Sequence, residues 1–270
     1  MELPQELVDH IIDMLHDDLP TLKACSLTCK AMFASARRLI HQTLWLTLRG
    51  NCSVPTGRKK PWKHRWGHPG ANPSVAYMSK RGLLRYTRQV DISMPYYFSP
   101  YMLSPYLRYF KHLDQVHTLT LEQYTTVTWG THHWGRFIYF HPSLTSLTLR
   151  RPTGSYRLLL QFALQFPNLE NLCLEEWSDG RDTTTACPII IDKLPPLCGN
   201  LRLAGFRTIA GWPTRNAYGL SDGMNFQTVE LEDFFGDQTQ HILNACAPTL
   251  ESLTIAPQSI GKHRFASPLL

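Results

Sequence analysis

The sequence predicts a solenoid of mixed class, α+β or α/β, in which a three-helix N-terminal module precedes a curved array of short parallel strands and helices. Three features point there. The first 45 residues hold three runs of helical periodicity, each with a start signal. From about residue 86 onward the spacing apolar-x-x-apolar-x-apolar recurs every 24 to 29 residues. Between these lies a polar stretch rich in Pro, Gly and basic side chains. The chain therefore divides into a helical module at 1–45, a first strand plus basic linker or insertion at 46–85, and a repeat region at 86–270.

In the module, Pro4 stands near the first helical position, where its missing N–H costs nothing, and Glu6 faces the positive end of the helix dipole. The helix runs to about Leu15. Its apolar residues Leu7, Val8, Ile11, Ile12, Met14 and Leu15 cover more than the single stripe a small core needs. Asp18-Leu19-Pro20 opens a second helix carrying Leu22, Cys25 and Leu27, and Thr28 is placed to cap a third with Met32, Phe33, Ala36, Leu39 and Ile40. Three short helices hide little surface, because units near 40 residues are marginal by themselves. The surplus face expects a partner, while Phe33, Leu39 and Trp45 are assigned as the anchor to the repeats.

The order Leu3-Pro4-x-Glu6-Leu7, Ile11, Leu15, Asp18-Leu19, Cys25, Leu27-Thr28-Cys29-Lys30, Phe33, Leu44-Trp45 resembles an F-box over about a sixth of the chain. It departs from the family where many members carry a Trp in the third helix, since Phe33 is the aromatic there. The resemblance implies a non-catalytic substrate-recognition subunit of an SCF-type (Skp-cullin-F-box) ubiquitin ligase. It implies a Skp-type adaptor as partner, a cullin ligase held through it, and a protein substrate chosen by the rest of the chain. Carried over position by position, adaptor contacts fall on Leu3, Pro4, Leu7, Ile11, Ile12, Leu15, Leu22 and Leu27, with Glu6 helping at the helix start.

Six segments share the repeat spacing: Val116/Leu119/Leu121, Leu144/Leu147/Leu149, Leu169/Leu172/Leu174, Cys198/Leu201/Leu203, Phe226/Val229/Leu231 and Leu250/Leu253/Ile255. Their middle residues step by 28, 25, 29, 28 and 24 positions, and a weaker copy, Thr87/Val90/Ile92, precedes them. Helical patterns fall between, as at 156–166 and 238–247. A strand and a helix per period resembles leucine-rich repeats across about residues 86 to 256. The family's turn Asn is replaced by Tyr124, Pro152, Trp177, Phe206, Phe234 and Gln258, which are read as core packing or, alternatively, as a stacking row.

If the apolar strand residues point inward, the residues between them form a concave face. Candidate substrate contacts there are Thr120, Glu122, Thr148, Arg150, Cys173, Glu175, Arg202, Glu230 and Glu232, flanked by Thr118, Ser146, Asn171, Asn200, Thr228, Ser252 and Thr254. Short polar groups with mixed charge suit a protein surface better than a phosphate backbone, which calls for Lys and Arg in quantity. A merely solvated face is the other reading.

Residues 51–81 lack apolar periodicity and read as a long flexible loop. Lys59, Lys60, Lys63 and Arg65 with Trp62 and Trp66 form a solvated loop or, in the competing reading, a nucleic-acid site on a repeat scaffold or a nuclear localisation signal. That cluster holds much of the net charge of +6. Neither a Gly-x-Ser-x-Gly elbow nor a phosphate-binding Gly-rich loop is present, so no enzyme is expected. Neither Cys25/Cys29 nor His132-His133 offers paired zinc ligands, so neither a metal nor another cofactor is expected. Seven scattered cysteines read as free thiols in a reducing compartment. With no leader-like start and no membrane span, the expected location is the cytoplasm or nucleus.

Overall fold

The computed structural model describes residues 3–48, 73–94, 104–123, 137, 140, 142–152, 156–176, 197–205, 224–232, 242–244 and 246–256. Three helices come first: α1 (Gln5–Asp13), α2 (Leu19–Thr28) and α3 (Lys30–Ile40). Asp18 caps α2 by accepting the Thr21 N–H at 3.0 Å. Thr28 turns back instead, donating to the Ala24 carbonyl at 2.9 Å, so α3 starts after Cys29 and not at a Thr28 cap. The first helix stops at Asp13, two residues short of the expected end, and single turns carry the chain to Asp18.

Only His41 and Gln42 separate α3 from the first strand, β1 (Thr43–Thr47). After the module come α4 (Pro73–Lys80), a 3-10 turn at Leu83–Tyr86 and β2 (Gln89–Ser93). There follow α5 (Ser104–Phe110), β3 (Thr118–Glu122), β4 (Ser146–Arg150), α6 (Tyr156–Ala163) and β5 (Asn171–Glu175). The last described strands are β6 (Leu197–Ala204), β7 (Met224–Glu232) and β8 (Ser252–Ala256). All eight strands lie parallel in one sheet in simple sequence order, the arrangement of a solenoid-type α+β fold.

Register follows the apolar triplets. Leu44, Val90, Leu119, Leu147, Leu172, Leu201, Val229 and Leu253 form one ladder across the sheet. Most of that row is buried, as is the row two residues on, because side chains at i and i+2 share a face. At the start of the early coils one carbonyl takes two N–H groups: Gln42 from Arg88 and Gln89, Arg88 from His117 and Thr118, His117 from Thr145 and Ser146. At the other end Gln123, Arg151, Glu176 and Gly205 each follow a strand and share a left-handed backbone, with φ between 49° and 68°. Their N–H groups bond the carbonyl ending the next strand, so the chain leaves these four coils through the same corner.

Behind the sheet the helices and turns stack on the apolar rows. Phe110 and Phe140 lie 5.2 Å apart between ring centroids, and Phe137, Phe162 and Phe166 extend the row at 5.5 and 5.3 Å. The module has a separate small core of Val8, Ile12, Leu22 and Ala36. Two hydrophobic cores therefore sit side by side, joined through the short His41–Gln42 link and a bond from Thr87 Oγ1 to the His41 carbonyl at 3.3 Å.

Several expectations change. The sheet starts at Thr43, inside the stretch assigned to the helical module, so β1 belongs to the solenoid and not to a separate linker unit. Part of the segment expected to be loop is helical: Val75 and Met78 of α4 are buried with Leu83 and Leu84, an i, i+3 pairing too short to register as periodicity. In β6 the inward residue opening the repeat is Leu197, while Cys198 is exposed, because the register shifts between Gly199 and Asn200. Trp45 points to the exposed face of the sheet and Phe33 is also exposed, so neither anchors the module; Leu39 packs on the module's own core. Of the turn residues, Pro152 is buried, and Tyr124, Trp177, Phe206, Phe234 and Gln258 lie outside the described residues. So do His132, His133 and the basic cluster at Lys59, Lys60, Lys63 and Arg65 with its tryptophans. Among the described residues, no helix is long and apolar enough to cross a membrane.

Candidate interaction surfaces

The first surface is the outer side of α1. Leu7, Ile11 and Met14, at spacings of four and three, share one side of α1 and its C-cap, and Leu3 stands just before its Pro4 N-cap. Leu3, Leu7, Ile11 and Met14 are 62%, 51%, 45% and 72% exposed. Val8 and Ile12 form the neighbouring stripe, about 100° round the helix, and fill the module core with Leu22 and Ala36. Polar contacts hold that orientation. Asp9 accepts from the Ser35 hydroxyl and, at 2.8 Å, from Gln5 Nε2, while Arg38 pairs with Asp13 at 2.7 Å. The Ser35 hydrogen bond, then that from Gln5, holds the Asp9 carboxyl below the usual carboxylate range. Gln5 also donates to the Ala31 carbonyl at 3.1 Å, tying the start of α1 to the start of α3.

The nine residues expected to contact an adaptor therefore split. Leu3, Pro4, Glu6, Leu7, Ile11 and Leu27 are exposed, Leu27 at 87%. Ile12 and Leu22 are corrected to core positions, 0% and 1% exposed, and Leu15 is half-buried against the same core. The reason is geometric: three helices close on one another through the stripe containing Ile12, so only the other stripe is left over. Met14 and Leu19, 44% exposed, join the open apolar surface without having been expected there. Their signal was present in the i, i+3 spacing from Ile11 and in the position just after the Asp18 cap.

The second surface is the outward face of the sheet. Its middle column runs Trp45, Asp91, Thr120, Thr148, Cys173, Arg202, Glu230 and Thr254, in register from strand to strand. The next column pairs Glu122 with Arg150, Glu175 and, beyond Ala204, Glu232. These charges neutralise one another laterally. Arg150 Nε meets Glu175 at 2.8 Å, Arg202 meets Glu232 at 2.8 Å and Glu230 at 3.9 Å, and Arg151 bridges Glu176 and Glu122. Exposed pairs of this kind add about 0–1 kcal/mol each to stability. Their larger effect is to hold long side chains in a fixed pattern.

Most expected face residues are brought together, with one exception. Thr120 is only 8% exposed, because a short side chain between flanking strands is screened by its neighbours, so it is corrected from contact to filler. Asp91 beside it is equally covered and accepts from Gln89 Nε2 through both oxygens. Burial pushes the Cys173 thiol up to about 12, and the Glu175 carboxylate beside it adds to the rise. The thiol lies 3.6 Å from Glu175 Oε1 and stays protonated near neutrality, the state least suited to nucleophilic attack.

Compared with protein-family models, curated proteins and solved structures, the chain matches none of them.

Proposed function

We propose that this chain is a non-catalytic, F-box-type substrate-recognition subunit of an SCF-type ubiquitin ligase. In this reading the α1 face binds a Skp-type adaptor and a leucine-rich-repeat-like sheet receives the protein to be modified. The observation that supports it most is the leftover stripe Leu3, Leu7, Ile11 and Met14 on a module whose own core is already filled by Val8, Ile12, Leu22 and Ala36. A contiguous apolar stripe with no internal use is the usual mark of a docking face. The sheet face contributes a second argument. Its described charges are Arg150, Arg151 and Arg202 against Asp91, Glu122, Glu175, Glu176, Glu230 and Glu232, an acidic excess that repels phosphate backbones and suits a polypeptide with basic groups. The mechanism is proximity: a substrate held on the sheet reaches a high effective concentration near a ligase held on α1.

The test is capture of the full chain from cells with proteasome and cullin activity blocked. A Skp-type adaptor is expected to co-purify, and Leu7→Asp or Ile11→Asp to abolish it without unfolding the chain. An intact chain that binds no such adaptor sinks the reading.

A further inference from the structure

A cleft lies on the side of the module where it meets the outer helices of the solenoid. It measures about 420 Å³, at the small end of ligand-sized sites. Its apolar surface comes from Leu27, Phe33 and Ile40 on α2 and α3 and from Tyr77 on α4. Lys23, Arg37 and Arg81 supply three positive charges, and among the described residues no carboxylate lines it. None of the three makes a salt bridge among the described residues, although Arg38, next to Arg37, is paired with Asp13.

The two arginines are set in the same way from opposite walls. The Arg37 guanidinium lies 4.6 Å from the centre of the Phe33 ring, and that of Arg81 lies 5.7 Å from the centre of the Tyr77 ring. Both are i, i+4 arrangements along a helix or its end, so the backbone sets the spacing. Each guanidinium lies within cation–π range of its ring, which restrains the side chain at lower ordering cost than a swinging Lys requires. His41, also in the cleft, is held below its usual pKa by burial and by the Arg37 charge, so it adds little positive charge near neutrality.

We propose that this cleft docks an acidic polypeptide segment, with a bulky apolar side chain seated on Leu27 and Ile40 and flanking carboxylates held by Arg37, Arg81 and Lys23. Charge complementarity selects the acidic segment, and the apolar floor selects its central side chain. A nucleic acid fits less well. Stacked bases need open aromatic faces, and here Phe33 and Tyr77 already carry their arginines. The proposal goes beyond the adaptor reading: its three cations lie outside the α1 stripe, and Leu27 is the one expected adaptor contact that the cleft shares.

The experiment is fluorescence anisotropy on the full chain at low ionic strength, with a dye-labelled peptide of glutamates around one central leucine. The comparison probes are an all-glutamate peptide and an oligothymidylate. The leucine-centred peptide is expected to bind saturably and roughly tenfold tighter than the all-glutamate one. Arg37→Ala with Arg81→Ala weakens it about tenfold or more, as loss of paired charges does. The corresponding double Lys variant, which preserves charge and guards against misfolding, falls in between. Tyr77→Ala weakens binding several-fold, and Arg38→Ala leaves it unchanged. Absence of saturable binding overturns the proposal, as does equal binding by the double Ala variant or by the all-glutamate peptide. Tighter binding of the oligothymidylate also overturns it, in favour of a nucleic-acid site.

Discussion

Gly199 and Glu170 approach more closely than any side chain allows. A Cβ on Gly199 would stand 2.2 Å from the Glu170 carbonyl oxygen, and Gly199 has φ +90°. The contact exists because the strand shifts register here, letting the Asn200 N–H reach the same carbonyl at 2.7 Å. Gly199→Ala must therefore break that bond or move a strand in mid-sheet. A loss of about 3 kcal/mol or more is expected, combining backbone strain and backbone clash, read as a lower urea midpoint. A midpoint within experimental error of the parent refutes the close approach.

Core and surface aromatics should separate cleanly. Phe162 is fully buried in the ring row, so Phe162→Ala should cost roughly 3–5 kcal/mol. Phe33 is 44% exposed, and Phe33→Ala should cost about 1 kcal/mol or less, mostly its contact with Arg37. Thermal unfolding of the two variants side by side decides the matter, and equal losses contradict the assignment of Phe33 to an open cleft.

The two stripes of α1 make opposite forecasts for the same substitution. Leu7→Asp places a charge where solvent already reaches and should leave stability nearly unchanged. Ile12→Asp puts an unpaired carboxylate into the module core and should unfold the three helices. Helical signal by circular dichroism and protease resistance of the N-terminal region report this directly. Resistance retained by Ile12→Asp tells against the orientation of α1.

His41 should make stability fall in mild acid. Its folded pKa lies below the ordinary value, chiefly through burial and then through the Arg37 charge. Just below the unfolded value of about 6.5 the unfolded chain binds the proton more readily, so stability rises with pH through that window. The benefit is complete above it and is lost as pH falls. Urea midpoints compared at about pH 7.5 and 5.5 should show a smaller acid loss in His41→Gln than in the parent. Identical slopes count against the effect.

Thiol reactivity should rank by environment. With its pKa near 12, Cys173 is thiolate to only about one part in ten thousand at pH 8. Cys29 is exposed. Iodoacetamide with peptide mapping should modify Cys29 in the folded chain and Cys173 only after denaturation. Rapid labelling of Cys173 in the native state excludes its burial beside Glu175.

The repeat strands were legible because a parallel coil repeats one local pattern. Leu119, Leu147, Leu172, Leu201, Val229 and Leu253 were identifiable from spacing alone, and all fall in one register row. The first strand was expected, but not its place in the repeat sheet. Leu44 and Val90 pair in the sheet but are separated by a long insertion that hides the period. The bulge at Gly199 was equally silent, since Cys198 satisfies the apolar pattern while Leu197 occupies the core. In the module, the excess of apolar residues was visible, but not which stripe was the excess.

By itself the sequence determined the three helices of the module and, except at Cys198, the face the repeat strands turn inward, because these follow from periods of about four and two residues along the chain. The tertiary structure alone decided that Ile12 and Leu22 are core while Leu7 and Ile11 are surface, since the packing of α1, α2 and α3 chooses between two stripes that read alike. It alone assembled the cleft, where Arg37 and Arg81 meet across two helices whose sequences say nothing of each other. Periodicity is a local property of the chain, whereas the burial of a particular side chain depends on what distant segments are brought against it.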